Sequence, residues 1–480
     1  MPTCWRGAAT ATRGPARSCC RTRGLSSSTW AAGHMRRRRP HPRLQTSRDH
    51  SGPGGEMARG NQLIRVLAAV FALTMTACGG ASSSSSGNAN FTLKVGMVLP
   101  FTGDLATYGP SLDKSARMAV KMVNDALKKD GINVTVQVAG SEDDQTTPAA
   151  GVEAATKLVK TDGAQVVVGS MSSGVTLAVA QSVAIPNNVL LVTPTSSDPA
   201  LTTLKGKNQL VWRIYPSDLL QGAALAQAMG DTFGKSATIN VGARNDAFGT
   251  ALAQEFERVW KAAGGKIGQE VIYNTNQASF DADAQKLASG NPTAWMIADF
   301  PPTFAKMGPA LVRTGQWAPA KTFMTEAMDN NDSLNQIGAP ATDGLRGTAG
   351  SAPAGPSADA FESAFKAANP GAKFTSFEGT SFDAVVLASL AAVKAGSADP
   401  SKIKLQMRAV SGPSGDKFGW QQLPDAFKAA QQGKSISYQG AWGQIAFDQN
   451  GDPTAATYVL WQHQAGQTTN LKTFPFGQPR

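Results

Sequence analysis

The sequence predicts an α/β protein built from two similar lobes with mostly parallel sheets, and three observations predict it. From residue 91 onward, short β-branched runs alternate with amphipathic helical stretches, the pattern of a parallel sheet covered by helices on both faces. The alternation comes in two successive series, together far larger than a typical domain of ~150 residues. The chain has 480 residues, enough for two or three sizeable cores.

In the first series, Thr92–Leu99 reads as a buried strand, and Pro110–Lys128 sets Leu112, Ala116, Ala119, Val123 and Leu127 on one helical stripe. Val134–Val138, Gln165–Val168 and Val189–Val192 are expected strands, and Ala149–Val159 and Val175–Val183 expected helices. The second series begins near Val211. Helices are expected at Leu219–Met229, Asp246–Ala263 and Phe280–Ala288, with strands at Ala237–Val241, Lys266–Ile272 and Thr293–Ala298. Helices at Asp359–Ala368, Phe382–Ala395 and Lys402–Val410 follow, and strands at Gly443–Phe447 and Ala456–Gln462 complete the chain. Ligands of open α/β sheets bind beyond the carboxyl ends of strands. Three loops in such places are polar: Pro100–Pro110, Gly169–Gly174 and Thr193–Pro199.

Charge divides the chain sharply. Residues 1–77 hold 13 of the 45 Lys and Arg but 2 of the 34 Asp and Glu, so 32 of each remain and the body is formally neutral. The net charge of +11 therefore belongs to the leader and gives no argument for a nucleic-acid partner. Cysteines occur at 4, 19, 20 and 78, and His463 is the one histidine after Cys78. The body thus offers no thiol nucleophile, disulfide framework or Cys/His metal site.

Residues 57–80 read MARGNQLIRVLAAVFALTMTACGG, with Arg59 and Arg65 ahead of the apolar Val66–Ala77. About a dozen apolar residues are too few to span a bilayer, which needs ~20, so residues 57–77 read as a signal peptide. Met75-Thr76-Ala77-Cys78 resembles the lipobox of bacterial lipoproteins, which implies acylation of Cys78 as the mature N-terminus. Acyl chains contribute ~0.8 kcal/mol per buried CH₂, enough for a stable membrane anchor. Residues 78–90 continue as a Ser-rich tether. Residues 1–56, with Arg36–Arg39 and no apolar periodicity, read as a non-native or disordered extension.

Enzyme classes find little support. There is no GxSxG elbow, and a Ser–His–Asp triad would depend on His463. Gly230–Ser236, GDTFGKS, is one residue short of a phosphate-binding loop and precedes a strand instead of following one. Catalytic residues, metals and cofactors are accordingly expected to be absent. Asp143 and Asp144 read as structural carboxylates capping the next helix.

Seven segments in order resemble the solute-binding proteins of branched-chain amino-acid ABC importers. They are LKVGMVLPFTGDLATYGPSLDKSARMAVKMVND (93–125), EDDQTTPAAGVEAATKLV (142–159), VVVGSMSSGVTLAVA (166–180), VLLVTPTSSDPALT (189–202), WRIYPSDLLQGAALA (212–226), ARNDAFGTALAQEF (243–256) and YQGAWGQIAFDQNGDP (438–453). The resemblance spans 91–465 and implies a type I periplasmic-binding fold, two Rossmann-like lobes joined by a multi-strand hinge. Each lobe would combine distant segments: 91–212 with 352–445, and 213–351 with 446–480. It further implies an exported monomer, lipid-anchored on the extracytoplasmic side or periplasmic, that binds a small polar solute. Its partners would be an ABC permease and ATPase; a ligand sensor feeding a signalling partner is the alternative.

The resemblance also implies site residues. Ser173, with Gly174 beside it at a helix start, matches a family position that gives a hydroxyl to the ligand carboxylate; an N-cap serine is the plain alternative. Ser197 matches a ligand-contacting Thr or Ser, or else caps the helix begun by Asp198-Pro199, and Thr195 and Ser196 would offer neighbouring backbone groups. Tyr108 matches a tyrosine lining the first lobe's face of the cleft. Phe248 and Phe300 stand where the family usually carries tyrosines, which makes that wall more apolar. An amide, a urea-like or an aromatic solute therefore stays open beside leucine, isoleucine and valine. The acid for a ligand ammonium is Glu326 or Asp329, with Glu326 slightly preferred.

Overall fold

A computed structural model describes residues 90–477. The extension 1–56, the leader 57–77, Cys78 and the tether up to residue 89 lie outside the described residues.

The first lobe opens with β1 (Phe91–Leu99), α1 (Gly109–Lys129), β2 (Val134–Asp143), α2 (Pro148–Lys160), β3 (Val166–Gly169), α3 (Ser173–Val179), β4 (Leu190–Thr193) and β5 (Val211–Arg213). The chain then enters the second lobe through α4 (Asp218–Phe233), β6 (Thr238–Arg244), α5 (Ala247–Ala262), β7 (Lys266–Tyr273), α6 (Asp281–Ala288), β8 (Ala294–Ala298) and α7 (Pro301–Arg313). There follow β9 (Thr322–Met324), the short α8 (Asn331–Ile337) and α9 (Ala339–Thr342), and β10 (Arg346–Ser351). It returns to the first lobe with α10 (Pro356–Ala368), α11 (Glu378–Ala395), α12 (Pro400–Ile403), β11 (Asp416–Gly419), α13 (Leu423–Gln431), β12 (Ile436–Gly440) and β13 (Gly443–Gln444). A last crossing leads to the antiparallel hairpin of β14 (Ala455–Gln464) and β15 (Gln467–Gly477).

Among the described residues the first lobe's main sheet runs β2-β1-β3-β4-β5, and every pairing in it is parallel. The second sheet runs β15-β14-β10-β9-β8-β6-β7. Its inner part, β7-β6-β8-β9-β10, repeats the first lobe's strand order, so the two sequence series are two copies of one doubly wound arrangement. β11, β12 and β13 form a small separate sheet. The chain crosses between lobes after β5, after β10 and after β13.

The elements follow from local sequence. Pro110, Pro148 and Pro301 sit in first turns, where a missing N–H costs nothing. Thr147 and Asp246 cap α2 and α5 by accepting from Ala150 N and Gly249 N. Helix α11 is apolar on every side and is buried from Glu378 to Val393. It packs against α1 and α13 over one face of the first sheet, while α2 and α3 cover the other. Full burial of each large apolar side chain stabilises by about 1.5–3 kcal/mol.

Two expectations change, and one helix is added. Lys402–Val410 is not one helix: α12 ends at Ile403 and a separate 3₁₀ turn holds Arg408–Val410. The strand at Gly443–Phe447 shrinks to Gly443–Gln444, because the chain then leaves for the second lobe. Helix α7 went unread because Pro301, Pro302 and Pro309 mask it. The first two fit its start, and burial of Phe304, Met307 and Leu311 offsets the hydrogen bond lost at Pro309.

Asp383 of α11 ties this helix to the third crossing. Its carboxylate accepts from Tyr438 Oη at 2.9 Å, Ala441 N at 2.9 Å and Trp442 N at 2.8 Å, all buried. Asp383→Ala strands these donors and is expected to destabilise the fold by about 2–4 kcal/mol, measured by denaturant unfolding. A change under half a kcal/mol would show that the donors find other acceptors.

Candidate functional site

The three polar loops converge at the carboxyl edge of the first sheet, and polar side-chain contacts hold each one. Asp143, ending β2, accepts from Phe101 N at 2.9 Å, Thr102 N at 3.1 Å and Thr102 Oγ1 at 2.6 Å. Asp144 accepts from Ser170 Oγ and from Thr146 N. These acids therefore staple the loops after β1 and β3; Thr147, not they, caps α2. Gly169 ends β3 at φ +140°, and a Cβ there would lie 2.0 Å from Val98 O, so glycine is required. Ser173 Oγ accepts from Ser197 N and Asp198 N, both at 3.3 Å, which joins the second and third loops.

Arg213, at the end of β5, holds the third loop from behind with its side chain 1% exposed. It donates to Ser197 O at 2.8 Å, Asp198 O at 3.0 Å and Asp452 Oδ1 at 2.7 Å. Burial pushes Asp452 up, but Arg213 outweighs it and holds the carboxyl below its ordinary range.

Between the lobes lies a cavity with about 330 Å³ of empty space, its open mouth included. Leu105, Met171, Phe248, Phe300 and Phe377 supply apolar wall, and Ser172, Ser173, Thr195, Ser197 and Glu326 supply polar groups. The first lobe brings the hydroxyls and the second brings the acid.

Phe248 and Phe300 stack with centroids 5.1 Å apart at 21°. The Arg244 guanidinium lies 3.7 Å above the Phe300 ring. Glu326 is buried and accepts from Gln221 Nε2, and burial pushes its carboxyl up to about 7. Behind it, Asp218 is fully buried with neither carboxylate oxygen hydrogen-bonded, and burial together with Glu326 raises it well above the usual range.

A family model described as periplasmic binding protein matches residues 92–462. The chain belongs to the periplasmic binding protein family. It is 26% identical over 386 residues to Leu/Ile/Val-binding protein homolog 1 of Brucella melitensis, covering 79% of this chain and 92% of that one. Its fold is like that of a leucine-binding protein LivK from Thermotoga maritima, with a TM-score of 0.65 at 22% identity over 80% of this chain and 98% of that one. It is also like an ABC-transporter solute-binding protein of R. palustris in complex with 4-hydroxybenzoate, with a TM-score of 0.64 at 16% identity over 81% and 98% of the two chains.

Six of the residues singled out by sequence come together on the wall of this periplasmic binding protein's cavity: Ser173, Thr195, Ser197, Phe248, Phe300 and Glu326. Tyr108 is fully buried beside it, edge-on to Phe377, and its hydroxyl donates across the lobes to Ala327 O at 3.0 Å. Gly174 lies next to the wall, where an added Cβ would be 3.7 Å from Ala247 of the other lobe. Ser196 is buried and spends its hydroxyl on Thr176 Oγ1 and Ser170 O. Asp329 is half-buried in a separate surface depression with Asn330 and Lys373, and burial pushes it up to about 7. Asp198, not Ser197, caps the short turn that begins at Pro199.

Sequence reasoning passed over Ser172, Leu105, Met171 and Phe377. Ser172 and Met171 sit in the GSMSSG segment already singled out; Phe377 carries no local signal and reaches the cavity through a long return of the chain. His463 lies in β14 with Nδ1 2.9 Å from Thr468 Oγ1. GDTFGKS falls at the carboxyl end of α4, opposite in polarity to a phosphate site. Among the described residues no group of three or more His, Cys, Asp or Glu could hold a metal ion, and no helix is long and apolar enough to cross a membrane.

Asp452→Ala would leave the Arg213 cation buried and unpaired. We expect a loss of about 3–5 kcal/mol in unfolding free energy, with the Ser197–Asp198 loop the first to exchange its amide hydrogens. A loss below 1 kcal/mol would mean the guanidinium escapes to water.

Proposed function

We propose that the protein is an extracytoplasmic receptor that captures an amino acid, or a related small polar solute such as an amide or urea-like compound, and delivers it to the permease and ATPase of an ABC importer. One observation carries this reading: hydroxyls from the first lobe, an acid from the second and an apolar wall line one cavity between the lobes. Ser172 and Ser173 line the cavity with hydroxyls that suit a carboxylate. Glu326, backed by Asp218, suits an ammonium through a charge-assisted bond. Leu105, Met171 and the three phenylalanines suit an apolar side chain. The names of the Brucella relative and the Thermotoga neighbour support an amino-acid solute, and the R. palustris complex keeps an aromatic acid in the screen. The Ser-rich tether after Cys78 supports attachment by a lipid anchor.

A thermal-shift screen against amino acids, amides, urea and aromatic acids tests the reading. A ligand at a hundred times its Kd should stabilise the protein by about 2.7 kcal/mol. No shift with any of these solutes would sink the receptor reading.

The charge on Glu326 gives the reading a pH signature. An ammonium requires the ionised carboxylate, and Glu326 titrates near 7 in the empty protein. Affinity for a zwitterion should therefore be full above pH 8 and fall as pH drops through 7, by up to about tenfold per unit. Glu326→Gln should weaken binding by about 2–4 kcal/mol and flatten this pH dependence. Calorimetry at pH 6, 7 and 8 reads both, and an unaltered profile in the variant removes Glu326 from the ligand.

Anchoring is separable from binding. Cys78→Ala should move the protein from the membrane fraction to the soluble extracytoplasmic fraction with its affinity unchanged. Continued membrane association would end the lipoprotein reading.

A further inference from the structure

Arg244 ends β6 in the second lobe, almost fully buried, and three carboxylates surround its guanidinium. Its Nε donates to Asp246 of the same lobe, and its Nη1, which has no hydrogen-bond partner, lies 3.9 Å from Asp299 Oδ1. Its Nη2 crosses the cleft to Asp104 Oδ2 at 2.7 Å. Asp104 sits in the Pro100–Pro110 loop of the first lobe with its side chain 35% exposed. The flat face of the same guanidinium lies 3.7 Å over Phe300, which lines the cavity.

We propose that Arg244 and Asp104 form a latch in which one guanidinium both holds the lobes closed over the cavity and sets the Phe300 wall against the solute. The proposal rests on reading that cavity as the solute site. Arg244 acts through Phe300 and is a positioning residue, not a ligand contact. When the lobes part, Asp104 leaves with the first lobe and returns to water. Arg244 keeps Asp246 and Asp299 and is not stranded, so the pair can open and reclose.

Two other cross-lobe contacts near the cleft differ in kind. Lys373–Asp332 joins two side chains that are both more than half exposed, and such pairs contribute little. The Tyr108 hydroxyl donating to Ala327 O is neutral, and salt does not screen it. Salt therefore separates the Arg244–Asp104 pair from the Tyr108 contact, since the screening length falls from about 10 Å at 0.1 M salt to about 3 Å at 1 M, and removing Asp332 separates it from the exposed pair.

The test compares the full chain with Asp104→Asn and, as a control, Asp332→Asn. Small-angle scattering without solute reads closure directly. We expect Asp104→Asn to be more open than the parent at 0.1 M salt, and the parent to open toward it at 1 M. With the solute found by the thermal-shift screen, Asp104→Asn should bind about three- to tenfold more weakly at 0.1 M and lose the parent's salt dependence. Asp332→Asn should behave as the parent. Equal compactness of Asp104→Asn and parent at both salt concentrations would overturn the latch. If no solute binds the parent, the receptor reading fails while scattering still decides the latch. Arg244→Lys keeps the charge and loses the flat face, so it should stay closed and salt-sensitive yet bind more weakly. Unchanged affinity in Arg244→Lys would overturn the role assigned to the Phe300 contact; should that variant not fold, Asp104→Asn still decides the latch.

Discussion

The buried Arg213 guanidinium is the interaction on which the rest of the molecule depends. It sits where β5 leaves the first sheet, and it joins the loop after β4 to the last crossing between lobes through Ser197 O, Asp198 O and Asp452. Thr202 closes the ring by accepting from Arg213 and donating to Asp452. A cation out of water is tolerated only when its donors are all met, so the arrangement fixes one geometry strongly. The hydroxyl wall of the cavity and the hinge are thereby held by the same group.

Both lobes use one strand order, yet they contribute unlike chemistry. The first lobe ends its strands in serine- and threonine-rich loops whose hydroxyls are mostly engaged with main-chain groups of the same loops, which leaves a polar rim held in place. The second lobe answers with stacked phenylalanines and a carboxylate whose burial raises its proton affinity. Neither half alone encloses a solute. The function follows from bringing them together, and the groups that do so, Tyr108 and Arg244, lie immediately behind the wall.

Much of this was legible in the sequence. The helices and strands that carry unbroken apolar stripes were found, along with the three polar loops at the strand ends. Ser173, Ser197, Phe248 and Phe300 were reachable through the family resemblance, whose matching segments span the strand ends where they sit. Phe377 was not, because its position depends on a return of the chain across the hinge after β10. Between Glu326 and Asp329 the sequence supports only a slight preference for Glu326, because three residues around a short turn swing one carboxylate to the cavity and the other to a surface depression. Asp143 and Asp144 were rightly read as structural, but they hold loops instead of a helix end, a distinction of rotamer and register that composition does not carry.

The sequence by itself determined the architecture, since the spacing of apolar residues dictates which faces must be buried, and two such series must make two lobes. It also determined that the chain after residue 78 is formally neutral and free of cysteine, which narrows the chemistry before any fold is considered. The tertiary structure alone decided which polar groups are free and which are spent. Hydrogen-bond satisfaction is a property of groups brought together across long stretches of chain: Ser196 is consumed by Thr176, Asp104 is claimed by Arg244 from the opposite lobe, and Glu326 is left facing the cavity.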